Sequence, residues 1–165
     1  MRPVTARMVT FAFLFLAAFP AAGADADAKA AVSAATEQAM HWLEQLDARR
    51  YPESWNDAAA VMKEGRSQDD WVRDIGAPRE LLGKSLIREV QHADYSTTVR
   101  GAPAGQYVTI AYLTQFTNAS PAIETVLVML EEGHWRIAGY NIARAPDPPE
   151  SKAPAKTDAG PKPKE

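Results

Sequence analysis

The chain contains no cysteine. Disulfides, thiol catalysis, Fe–S clusters and lipid attachment at a cysteine are therefore excluded, and the fold must be held by packing. Histidine is also scarce. His41, His92 and His134 fit no metal-site spacing, so no metal or other cofactor is expected. Basic residues do not dominate: 18 Lys and Arg against 21 Asp and Glu give a formal net charge of −3. Nucleic acid and anionic membrane both require a clustered basic face, so neither is expected as a main partner. No apolar run is long. Met8 to Phe19 is a run of twelve residues. As a helix it would reach about 18 Å, against roughly 30 Å for a bilayer core, so no stable membrane span is expected. A serine-nucleophile motif, a phosphate-binding glycine loop and a dinucleotide fingerprint are all missing, and no catalytic residue is assigned.

What is present begins with an address. Arg2 and Arg7 precede the apolar run, Pro20 ends it, and Ala22-Gly23-Ala24 supplies small side chains. This is the layout of a secretory signal peptide, with cleavage expected after Ala24. The expected divisions are a signal peptide over 1–24, one domain over 25–144 and a tail over 145–165. Cleavage would move the net charge from −3 to about −5. The expected location is periplasmic or secreted. The tail holds six of the twelve prolines, four lysines and four acids. Such a composition cannot bury enough apolar surface to offset its ordering entropy, so disorder is expected there.

Residues 28–50 read as a helix. Ala28, Val32, Ala35, Ala39, Trp42 and Leu46 recur every three or four residues and make one apolar stripe. Packing of that stripe on the domain's own sheet is the first expectation, and a homodimer through it is the alternative. Pro52 suits a first helical position, and Trp55, Ala58, Ala59 and Met62 give a second apolar face that ends at Gly65. Ser67 to Asp70 reads as a capping box for a third helix lined by Trp71, Ile75 and Leu82. Gly76 and Pro78 predict a kink or break within it, and Gly83 its end.

The period then changes to alternation. Val108, Ile110, Tyr112 and Phe116 fall on one face of a strand. Glu132-Gly133 predicts a tight turn between strands over 122–131 and 134–143. A further strand is read over 85–97, joined onward by the loop from Arg100 to Gly105. Asn118-Ala-Ser120 is read as part of a hairpin turn. Helices followed by strands with short connections predict an α+β fold, with N-terminal helices packed on a curved four-stranded antiparallel sheet. Trp135 and Ile137 share a face, so Trp135 is expected to meet Trp42 or Trp71 in the core.

Several blocks carry a family resemblance. They are Trp42-Leu43 with Leu46-Asp47, Tyr51 through Trp55, Arg79-Glu-Leu-Leu-Gly83 with Ser85 and Arg88, Gly101 through Tyr107, Phe116, Glu124-Thr125, and Trp135 through Tyr140. In this order they resemble domain-of-unknown-function family 4019. The resemblance implies a small exported bacterial protein and no particular activity. The element order is also similar to the cystatin-like or nuclear-transport-factor-like cone, which implies a pocket but fixes no function.

Arg79, Arg88 and Glu124 are the polar set of most interest. Glu124 shares a strand face with Val126, Val128 and Leu130, so it is expected to point inward and to need a partner, which a two-pronged arginine supplies. The set is read either as a buried ion pair that fixes the fold or as an arginine-lined site for an anionic ligand. Arg100, in the glycine-proline loop, is the fourth candidate binding residue. His41 and His134 read as solvated surface residues. His92 and Asp94 share a strand face if the strand is regular, with Tyr95 on the other. The functional expectation is a non-catalytic binding or interaction domain of the cell envelope, for an unidentified envelope protein or small ligand. The alternative is a small cone-fold enzyme with His92, Asp94 or Glu124 as its acid–base group.

Overall fold

The computed structural model describes residues 22–146, with side chains from Ala24 onward. The apolar run of the expected signal peptide, and the expected tail beyond Pro146, lie outside the described residues. Four helices come first: α1 (Ala22–Asp47), α2 (Tyr51–Asn56), α3 (Ala60–Lys63) and α4 (Gln68–Leu82). Four strands follow: β1 (Ser85–Ser96), β2 (Tyr107–Phe116), β3 (Ala122–Glu131) and β4 (His134–Arg144). They form one open antiparallel sheet in the order β1-β2-β3-β4. The class is α+β.

α1 crosses the sheet and touches all four strands. Its stripe does what the spacing predicts: Ala35, Ala39 and Trp42 are fully buried, with Leu43 and Leu46 beside them. Alanine at two of these positions lets the helix lie close to the strands. The sheet answers with Val108, Ile110, Tyr112, Val126, Val128 and Ile137, all on its inner face. The stripe is thus consumed by the chain's own sheet.

Three features depart from the sequence reading. The second apolar face is two short helices rather than one. Between them, residues 57–59 pair with β4 through a parallel bridge of Ala58 to Ile137. Ala59 N–H donates to the Ile137 carbonyl at 2.8 Å. The backbone groups released by breaking the helix are thereby satisfied. Second, α4 runs through Gly76 and Pro78 without ending. A proline removes one rung of the helix ladder, but the next residue, Arg79, is locked by buried ion pairs that hold the last turn. The capping box at Ser67 and Asp70 is present, with both reciprocal hydrogen bonds.

Third, Trp135 is half-buried at the edge of the core. The rings that meet Trp42 are Trp71, at 5.8 Å between centroids, and Tyr140, at 5.3 Å. A bulge in β4 explains the exchange. Val128 pairs with Ile137 but Leu127 pairs with Gly139, so Ala138 is the extra residue. Beyond it the alternation is inverted, and Tyr140, which a regular strand would point outward, turns to the core.

Gly83 closes α4 at φ +80° and ψ −149°, a conformation open in practice to glycine alone. A Cβ there would sit 2.1 Å from Thr117 Oγ1. Gly83→Ala is therefore expected to lower stability by about 2–3 kcal/mol, read from the urea midpoint at unchanged slope. A loss below about 0.5 kcal/mol would show that this corner relaxes freely.

Candidate functional site

Residues of six elements meet in one cluster around a single buried carboxylate. Glu124, on β3, is wholly buried because it takes an inner-face position between Ala122 and Val126. Arg79 reaches it from the last turn of α4, Nη1 donating to Oε1 at 2.7 Å. Arg88 reaches it from β1, Nε donating to Oε2 at 2.8 Å. Thr114 on β2 donates its hydroxyl to Oε2, and Tyr140 on β4 donates to Oε1 at 2.6 Å. Asp47, at the end of α1, completes the group. It accepts two hydrogen bonds from Arg88, at 2.8 and 3.1 Å, and one from Arg79. The Arg79 guanidinium also lies over the Phe116 ring, 5.5 Å from its centroid.

The two arginine side chains are 4% and 6% exposed, and Asp47 is 27% exposed. Two guanidinium charges meet two carboxylates, so the group is neutral as a whole. Burial pushes the Glu124 carboxyl up, but the Arg88 charge and the bonds from Arg88, Thr114 and Tyr140 outweigh it and hold the group below the usual carboxylate value. Burial and then the Glu124 charge push the Tyr140 hydroxyl up, so it stays a donor. Burial lifts neighbouring Tyr112 to about 12. With each charge answered inside the cluster, an anionic ligand meets no spare positive group there. What the arrangement does is clamp α1 and α4 to all four strands.

Of the candidates from sequence, Arg79, Arg88 and Glu124 are brought together and Arg100 is not. Arg100 is exposed in the loop after β1. Arg88 lies eight residues before the end of that strand, which puts it about 26 Å from the loop at the strand rise of about 3.3 Å per residue. His92 and Asp94 do share the outer face, where their exposed side chains meet. Tyr95 faces the helix side, packed on the core cluster.

A second feature went unnoticed in the sequence. A cleft of about 580 Å³ opens between α1 and the turn joining β3 to β4, lined by Glu37, His41, Asp57, His134, Trp135 and Arg136 among others. Its volume is in the range of small-molecule sites. Gln45, buried beneath, donates through Nε2 to Asp57 Oδ2 at 2.6 Å and stands 3.4 Å from His41 Nε2. Arg136 is held by Glu131 at 3.4 Å. Glu37 and His134 make no ion pair or side-chain hydrogen bond among the described residues. His41 and His134 are 93 positions apart, and no spacing rule joins them.

A family model described as "Protein of unknown function (DUF4019)" matches residues 38–140. The chain belongs to this family. The match takes in Asp47, Arg79, Arg88, Thr114, Glu124 and Tyr140, so the whole buried cluster lies inside the DUF4019 domain. The cleft lies mostly inside it as well, with Glu37 just before its first residue. Comparison with curated proteins and with solved structures returned no match, so the likeness to a cone-shaped fold rests on element order alone.

Proposed function

We propose that this DUF4019 protein is exported and acts in the periplasm, or outside the cell, as a non-catalytic binding domain. The carrying observation is the contrast between its two polar sites. The buried cluster answers all its own charges, whereas the cleft beside Trp135 is open and keeps Glu37 and His134 uncommitted. A group that is to move protons needs a free partner in a substrate's reach. Glu124 is bonded on both oxygens, and His92 with Asp94 stands on the open outer face rather than in a cavity. The acid–base reading at Glu124, His92 or Asp94 therefore finds no support in the arrangement. The cleft supports binding of a small polar ligand, or of a polar segment projecting from an envelope protein, with the indole as an apolar wall. Arg2, Arg7, the apolar run and Ala22-Gly23-Ala24 support export.

Two measurements test the reading. Mass spectrometry of the protein from a periplasmic fraction should find an N-terminus at Asp25; an intact chain confined to the cytoplasm defeats the export half. The mature chain should also shift its melting temperature with at least one member of a panel of soluble saccharides and short peptides. Trp135→Ala should remove that shift while keeping the fold, with a loss of about tenfold or more in affinity, as removal of an aromatic anchor produces. A shift that Trp135→Ala leaves intact places binding elsewhere.

A further inference from the structure

We propose that the outer face of the sheet is the interface between two copies of this chain. Antiparallel sheets with one free face normally present polar residues there. Here the two central strands present a single charged one, Glu131 at the last position of β3, where Arg136 and the Ala60 N–H hold it. β2 offers Thr109, Ala111, Leu113 and Gln115 outward, and β3 offers Ile123, Thr125, Leu127 and Met129. None of these belongs to the core cluster that the helices cover. Ile87, on β1 at the same face, is 60% exposed. At one end the face is already closed by the chain itself: Tyr107 is fully buried, its hydroxyl donating to the Pro103 carbonyl of the folded-over loop.

The other charged outward residues lie on the flanking strands. Glu89, His92 and Asp94 are on β1, and His134 and Arg136 on β4. An apolar centre with a charged border is the anatomy of a protein–protein interface. Strands of 10–12 residues, four abreast, present about 600 Å² per copy, or about 1,200 Å² in a pair, at ordinary strand spacings. That reaches the area at which specific dimers begin. A second copy also fits the charges. A two-fold axis between the sheets and parallel to the strands places β1 of one copy over β4 of the other. Asp94, level with Gly139, then lies over the half of β4 that carries Arg136, while Glu89 comes over Ala143, and the relation holds in both directions, as an isologous contact requires. A depression of about 240 Å³ lined by Ile87, Glu89, Leu113, Gln115 and Pro121 gives a facing side chain a place to enter.

Sedimentation equilibrium of the mature chain tests this. The expected result is a dimer at micromolar concentration, with Leu127→Lys and, separately, the milder Thr125→Lys each weakening the dimer at least tenfold. Both variants should keep the wild-type near-ultraviolet circular dichroism. Leu81→Glu, which changes a residue 78% exposed at the end of α4 and off this face, should leave the dimer unchanged. A monomer at 100 µM overturns the proposal. So does a dimer that folded Thr125→Lys protein retains at full strength. Neither outcome bears on export, and binding in the cleft is read separately, by the melting shift that Trp135→Ala removes.

Discussion

Glu124→Gln is expected to lower the unfolding free energy by about 3–5 kcal/mol, the range for breaking a buried ion pair from one side. The substitution keeps the size of the side chain and removes its charge. Arg79 and Arg88, both almost fully buried, then share Asp47 alone, and one positive charge is left without an answer in a poorly solvated place. Domains of this size have only about 5–15 kcal/mol in total, so the loss should be plain in urea unfolding followed by tryptophan emission. Asp47→Asn should cost less, because water reaches that carboxylate. The acid behaviour has a definite sign. The folded state holds Glu124 below its usual value of 4.5. Its stabilisation is therefore complete above that value and is lost as the pH falls through the lower, folded-state value. Wild type should weaken on that acid limb, and Glu124→Gln should show a flatter one. A loss under about 1 kcal/mol for Glu124→Gln, well short of the buried-pair range, would mean that the cluster does not clamp the fold.

Trp42→Ala is expected to cost about 3–5 kcal/mol, as large-to-small changes of a buried aromatic do. The side chain is fully buried. It touches Trp71 and Tyr140, and its Nε1 donates to the Ser54 carbonyl at 2.8 Å. Ser54 is itself wholly buried and accepts from Trp71 Nε1 at 3.0 Å. Removing the indole therefore opens a cavity between α1, α4 and β4 and orphans an acceptor at once. Trp42→Phe separates the two effects. It keeps most of the packing and forfeits the hydrogen bond, for which about 1–2 kcal/mol is expected. Equal losses for the two variants would assign the effect to the hydrogen bond rather than to packing.

Where periodicity controls structure, the sequence was legible. The three-four spacing from Ala35 to Leu46 predicts the buried face of α1, and the alternation from Val108 to Phe116 predicts that of β2. An inward Glu124 demanding an arginine follows from the cost of an unpaired buried charge, and Arg79 and Arg88 are the residues that meet it. Thr114 sits in the same alternation and was available to the same argument. Asp47 and Tyr140 were not. Asp47 lies off the apolar stripe, and its role appears only once α4 and β1 bring their guanidinium groups to the end of α1. Tyr140 turns inward because of the extra residue at Ala138, and a bulge carries no period of its own. Pro78 stays within α4 because a tertiary clamp overrides a local preference. The cleft joins residues from opposite halves of the chain, so it exists only as a product of packing.

The short contact of Ala58 with Ile137 has a bearing on how these molecules avoid growing into fibres. Endless side-by-side addition of sheets needs two receptive margins on every molecule, one to give and one to take. The margin at β4 is interrupted near its middle by the segment between α2 and α3, while the margin at β1 is open. Any joining of sheet edges through β1 finds no second open edge to continue from, so the exposed row of backbone groups is tolerated without a path to an endless sheet.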